Sequence, residues 1–178
     1  MERTSFDERK VGLIPRLVVA GKWGPKEYAI LVTDKRTILV LEKESKSGIG
    51  GALGGAAGAL IASAVDRSRS FDYGQADPQS LATDSKNLTI THENLQKLMT
   101  KKRFIGPVYR LELHYQNHEG KGKKLKGFLM PPGVHVKQRK REGAGRGQIY
   151  ADYVQKLQEV YRNALSPPRF ETVVGSHI

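Results

Sequence analysis

Two apolar runs separated by only two polar residues constrain this chain more than any other feature. Residues 28–33 (YAILVT) and 36–43 (RTILVLEK) flank Asp34-Lys35. Runs rich in β-branched residues, joined by so short a polar connection, predict an antiparallel hairpin. Both runs are nearly continuously apolar. A strand with one wet face alternates polar and apolar residues, so this pattern predicts the centre of a sheet with little solvent on either face.

The other elements are fitted around that hairpin. Residues 13–20 (LIPRLVVA) read as a preceding strand, with Pro15 placing its start at an edge. Residues 71–73 are expected to form a short strand, 75–85 a loop and 87–91 (NLTIT) a strand. Residues 94–104 have partly helical spacing. The turn at Ile105-Gly106-Pro107 and the alternation of residues 108–115 instead favour a hairpin. With a last strand over 123–130, residues 101–130 read as a three-strand meander. Residues 134–147 are expected to be a Lys-, Arg- and Gly-rich loop. Residues 148–165 are the clearest helix, since Ile149, Tyr153, Leu157, Val160, Tyr161 and Ala164 make one apolar stripe. Pro167-Pro168 should end it and leave a frayed tail. The expected architecture is mainly β: about seven strands in a small antiparallel sheet, one end closed by the C-terminal helix. A single domain over 1–166 and a tail over 167–178 follow from it.

Between strands lies an 18-residue uncharged insertion, residues 48–65 (GIGGALGGAAGALIASAV), with six glycines and six alanines. Gly50, Gly54, Gly58 and Ala62 recur every fourth residue, so on a helix they would share one face and allow close backbone approach. Exposed glycines cost a helix about 1 kcal/mol each relative to Ala, so such a helix needs packing or lipid around it. Three readings stay open: a self-associating or internally packed insertion, a membrane contact, and a disordered linker. Eighteen residues is the short end of a membrane span.

The charge is as uneven as the hydrophobicity. The net charge is +12, and residues 97–141 hold 13 Lys or Arg against two acids, Glu112 and Glu119. That window therefore carries +11 of the total. A local cationic surplus points to a polyanionic partner, lipid headgroups or nucleic acid. Candidate anion-binding residues are Lys101, Lys102, Arg103, Lys123, Lys124, Lys126, Lys137, Arg139, Lys140 and Arg141. Lys124 and Lys126, two apart on a strand, share a face. The aromatic residues among them, Tyr109, Tyr115 and Phe128, are equally well explained as core, so a base-stacking surface has little support. A protein partner or a solvated face explains the charge as well.

Catalytic and metal chemistry find little footing. The chain has no cysteine, which excludes disulfides, thiolate metal sites and Cys nucleophiles, and fits a reducing compartment. Its N-terminus alternates charges and does not read as a secretory signal. The Gly-rich run lacks the Lys-Ser/Thr of a phosphate-binding loop, and no Ser sits in a nucleophile elbow. His114 and His118, four apart on a strand, would stand about 13 Å from each other, too far for one ion. The expectation is a non-enzymatic module with no cofactor and no metal.

The corner in residues 28–41 (YAILVTDKRTILVL) and the run in residues 93–115 (ENLQKLMTKKRFIGPVYRLELHY) resemble the prokaryotic pleckstrin-homology-like domains, which include GRAM-like members. In those families an apolar strand meets a T-(D/N)-(K/R)-R corner and a second apolar strand, and a Gly/Ala zipper sometimes follows. The resemblance covers roughly residues 13–165. It implies a split β-barrel capped by a helix and no shared catalytic residues. The basic first hairpin of eukaryotic phosphoinositide binders is met here only by Lys35, Arg36 and Lys43. The resulting expectation is a cytoplasmic binding or scaffolding module, peripheral at the membrane. It would engage anionic lipid or a protein partner through the basic face and self-associate through Gly50, Gly54, Gly58 and Ala62. The alternatives are a nucleic-acid-binding protein using the same patch and a purely structural homo-oligomer.

Overall fold

A computed structural model describes residues 8–22, 24–44, 67–69 and 71–174. The chain is mainly β. Its strands are β1 (Lys10–Gly21), β2 (Gly24–Thr33), β3 (Arg36–Glu44), the two-residue β4 (Arg67–Ser68), β5 (Leu88–Thr91), β6 (Leu95–Lys102), β7 (Tyr109–Gln116) and β8 (Gly122–Leu129). The helices are α1 (Pro78–Thr83), α2 (Gly133–Arg141), α3 (Arg146–Ala164) and α4 (Pro167–Val173). All pairings are antiparallel, in the order β4-β3-β2-β1-β8-β7-β6, with β5 also on β3. Among the described residues, hydrogen bonds do not close the sheet. The Gly/Ala positions Gly50, Gly54, Gly58 and Ala62 lie outside the described residues.

The predicted hairpin is β2–β3, and the side chain of Thr33 shapes its corner. The Thr33 hydroxyl accepts the backbone N–H groups of Lys35 at 3.2 Å and Arg36 at 2.9 Å, satisfying donors that the tight turn would strand. The apolar runs are covered on both faces, as the pattern required. Ile30, Val32 and Leu39 join the main core, while Leu31, Ile38 and Val40 pack on the opposite side under Leu81 of α1, with Phe71 and Tyr73.

The two halves of the sheet, β1–β3 and β6–β8, are joined where Leu17 pairs with Leu129 and Val18 with Phe128, and where the Met130 N–H donates to the Arg16 carbonyl at 3.0 Å. Gly127 permits that crossing: a Cβ there would stand 2.7 Å from Leu17 Cδ1 and 3.0 Å from the Val18 carbonyl oxygen. The halves fold over one core, and α3 fills it with Tyr153, Val154, Leu157, Val160 and Tyr161. Burying each such large apolar side chain contributes about 1.5–3 kcal/mol. The Tyr161 hydroxyl meets its polar partner inside, Thr37 Oγ1 at 2.9 Å.

Five expectations need correction. Pro15 is not at an edge. β1 lies inside the sheet, and Pro15 sits at a register shift beside Arg16, whose φ is 59°. The Pro15 carbonyl accepts from the Tyr153 hydroxyl. Residues 71–73 form no strand; they serve as the lid over β3. Residues 75–85 contain α1, started by Asp77, whose carboxylate accepts from the Gln79 and Ser80 amides, and by Pro78 in the first turn. Residues 134–147 are largely α2, which buries no side chain and so leaves no apolar periodicity to read. Finally, Pro167-Pro168 ends one helix and starts the next. Phe170, Val173 and Val174 are buried, so residues 167–174 are part of the core and not a frayed tail. Arg169 secures α4: its Nη2 donates to the carbonyls of His92, Glu93 and Leu95 at 2.9, 3.0 and 2.7 Å.

Candidate anion-binding face

The alternation of β6–β8 sorts its side chains onto two faces. Leu98, Leu111, Leu113 and Leu129 point into the core. The opposite face carries Lys97 and Lys101 from β6, Arg110, Glu112 and His114 from β7, and Lys124, Lys126 and Phe128 from β8. The register places Lys101 across from Arg110, Lys97 and Lys124 across from His114, and Lys126 across from Glu112. Glu112 is the one acid on this face, and its side chain is only 6% exposed. Lys124 Nζ lies 2.8 Å and Arg110 Nη2 3.0 Å from its carboxylate, with His114 Nε2 at 3.6 Å and Lys126 Nζ at 4.0 Å. The hydrogen bond from Lys124, helped by its charge and those of Lys126 and Arg110, holds the Glu112 carboxyl below the usual carboxylate range. One anion therefore organises a cluster of cations and leaves the face strongly positive.

At one end of this face the β6–β7 hairpin closes. The Arg103 N–H donates to the Val108 carbonyl at 3.0 Å, leaving Phe104-Ile105-Gly106-Pro107 as the tip. Gly106 has φ 83°, a conformation that suits glycine. Lys101, Lys102, Arg103, Phe104, Ile105, Arg110 and Phe128 line an open cleft of about 420 Å³ there. Arg103 lies over the Phe128 ring, 5.5 Å from its centroid.

The ten predicted residues do not form one surface. Lys101, Arg103, Lys124 and Lys126 belong to the basic face. Lys102 points inward of Lys101, bordering both the tip cleft and a second cleft of about 580 Å³ between β6, β7 and α3. Lys123 pairs with Tyr115 and lies on the face opposite Lys124, at the far end from the tip. Lys137, Lys140 and Arg141 are exposed on α2. Arg139 is engaged within the protein: its guanidinium nitrogens lie 3.0 Å from Glu142 Oε2 and 2.9 Å from Asp152 Oδ2, tying α2 to α3. Arg139 first, then the Gln138 amide, lowers the Glu142 carboxyl below its ordinary range.

Sequence reasoning omitted Lys97 and Arg110, which only the strand register brings beside Lys101 and Lys124. The expected turn at residues 105–107 and the run ending at Phe104 together form a tip that presents two bulky apolar side chains. Phe104 is fully exposed and Ile105 is 78% exposed. An aromatic and an aliphatic residue after three consecutive cations (KKRFIGP) was the available signal. Among the described residues, no helix is long and apolar enough to cross a membrane. No family model matches the chain, and no curated protein matches its sequence.

Proposed function

We propose that this chain is a non-catalytic binding module that associates with the anionic lipids of a membrane surface through the basic face of β6–β8. The observation that carries the reading is the one-sided charge of that face. Lys97, Lys101, Arg110, Lys124 and Lys126 stand around a single, largely covered acid, Glu112. A cationic sheet face suits a layer of phosphate headgroups, each nearby Lys or Arg contributing about 1 kcal/mol at an anionic surface. The cytoplasmic leaflet is the surface with that charge. Nucleic acid is the less favoured partner of the sheet face itself, because the aromatic ring there, Phe128, lies under Arg103 and is not open for a base to stack upon. The Gly/Ala run enters this reading through its sequence spacing alone, as a self-association segment.

The test is co-sedimentation with vesicles of phosphatidylcholine, with and without phosphatidylserine, at low and high salt. Lys97→Glu/Lys101→Glu reverses charge without touching the Glu112 ion pairs, as Lys124 or Lys126 substitutions would. Uptake on the anionic vesicles alone, reduced by roughly tenfold or more in the double variant, is the expected result. Equal uptake by parent and variant sinks the reading. Steeply salt-dependent binding to RNA or DNA with no vesicle uptake would assign the face to nucleic acid.

A further inference from the structure

Among the described residues the exposed large apolar side chains are Phe104, Ile105 and Val134. Two of them are adjacent in the chain. Phe104 and Ile105 form the β6–β7 tip. Tyr109, two residues beyond that tip, pairs with Leu129 at the end of β8. Met130 and Val108 then share one apolar cluster. Val134, 80% exposed in the first turn of α2, follows four residues after Met130, within about 15 Å of it by chain length alone.

Bulky apolar side chains held fully in water are costly. Two in succession at a hairpin tip mark a contact surface better than they mark a turn. Their setting selects the contact. Lys101, Lys102, Arg103 and Arg110 ring the tip cleft, and Lys137, Lys140 and Arg141 lie on the helix that leaves from the same end. An apolar point inside a ring of cations matches the layering of an anionic bilayer, where phosphates lie outside the acyl boundary. A protein groove that accepted Phe104 and Ile105 would have to desolvate those cations or supply acids for each.

We propose that the β6–β7 tip is a membrane wedge, with Phe104 and Ile105 entering the headgroup–acyl boundary while the flanking cations hold the phosphates, so that the protein docks tip-first. This rests on the lipid reading of the basic face and adds an orientation and a salt-resistant component to it. The Arg103 to Val108 hydrogen bond closes the hairpin beneath the tip and Pro107 has no N–H, so the amides of residues 104–106 belong at the headgroup–acyl boundary, where phosphates and water can accept from them, and not in the hydrocarbon.

The chain has no cysteine, so Ile105→Cys carries an environment-sensitive fluorophore at one defined place, and Gln116→Cys marks the far end of β7. On phosphatidylserine-containing vesicles the label at 105 should shift to the blue and be quenched by bromolipids, while the label at 116 stays aqueous. Phe104→Ser/Ile105→Ser, at positions already in solvent, should lower the vesicle partition coefficient about tenfold or more with the salt dependence unchanged. A protein that sediments with the vesicles while its label at 105 stays aqueous overturns the wedge and leaves the basic-face reading standing. A blue shift that grows with protein concentration without vesicles makes the tip a contact between copies and also overturns it. No sedimentation at all removes both readings.

Discussion

The two halves of one sheet solve opposite problems. In β1–β3 both faces are covered, by α3 on one side and by α1 with Phe71 and Tyr73 on the other. Its strands can therefore be apolar at every position. In β6–β8 only the inner face is covered, and the outer face is mainly Lys and Arg around one acid, with Met99, His114 and Phe128 among them. What decides between them is which chain segment is left over to act as a lid. Residues 71–87 cross β3, where the Tyr73 hydroxyl donates to Glu42 at 2.7 Å and the Leu41 N–H donates to Asn87 Oδ1 at 3.0 Å. No described segment crosses the outer face of β7 and β8. Strands of the same sheet thus become interior in one half and a charged interface in the other.

The sharpest way to break this contrast is to remove a lid contact. Ile38 is fully buried on the outer side of β3. Ile38→Ala should cost about 2–5 kcal/mol. Met99, across from Glu112 on the open face, should lose under about 1 kcal/mol when made Ala. Urea denaturation of both variants reads the difference, and equal losses would mean that the outer side of β3 is not a true interior.

A smaller effect tests the edge of the open half. Arg169→Ala removes three hydrogen bonds to the β5–β6 turn from α4 and is expected to cost about 1.5–3 kcal/mol. Amide exchange should accelerate in α4 and at the start of β6 and stay slow in β2. Uniform acceleration would show that α4 is cooperative with the whole sheet.

The smallest effect belongs to Glu112, whose partners Lys124 and Lys126 are about half in water. The carboxyl is lowered from the ordinary 4.5, chiefly by the Lys124 hydrogen bond. Its contribution is therefore present above the unfolded value and is lost as pH falls through the folded one. Glu112→Gln should be modestly less stable than the parent at neutral pH, and the gap should close below pH 4.5. A gap that persists in acid would show that Glu112 acts by packing rather than charge.

Legibility followed periodicity. The β2–β3 hairpin, the β6–β7–β8 meander and α3 each bury a face, so their apolar spacing announced them. α2 buries nothing and α1 is six residues long, and both passed as loop. The start of α1 did carry a local signal in Asp77-Pro78. The basic window was visible as composition. Its division was not: Lys123 and Lys124 are adjacent in the chain yet belong to opposite faces, and Arg139 is already paired with Glu142 and Asp152.

The amino-acid sequence by itself determined the secondary elements that bury a face, the doubly covered character of β2 and β3, and the confinement of nearly all net charge to one stretch. Those are local properties, written in the spacing of side chains along a strand or helix. Tertiary structure alone decided that residues 71–87 cover β3 and leave β7 and β8 open. It made Glu112 the centre of the basic face, turned the Pro167-Pro168 stop into a helix that closes the core, and set Phe104 and Ile105 at a tip lined by cations. Each depends on strand register and on which segments remain to cover a face, and pairings between residues far apart in sequence fix both.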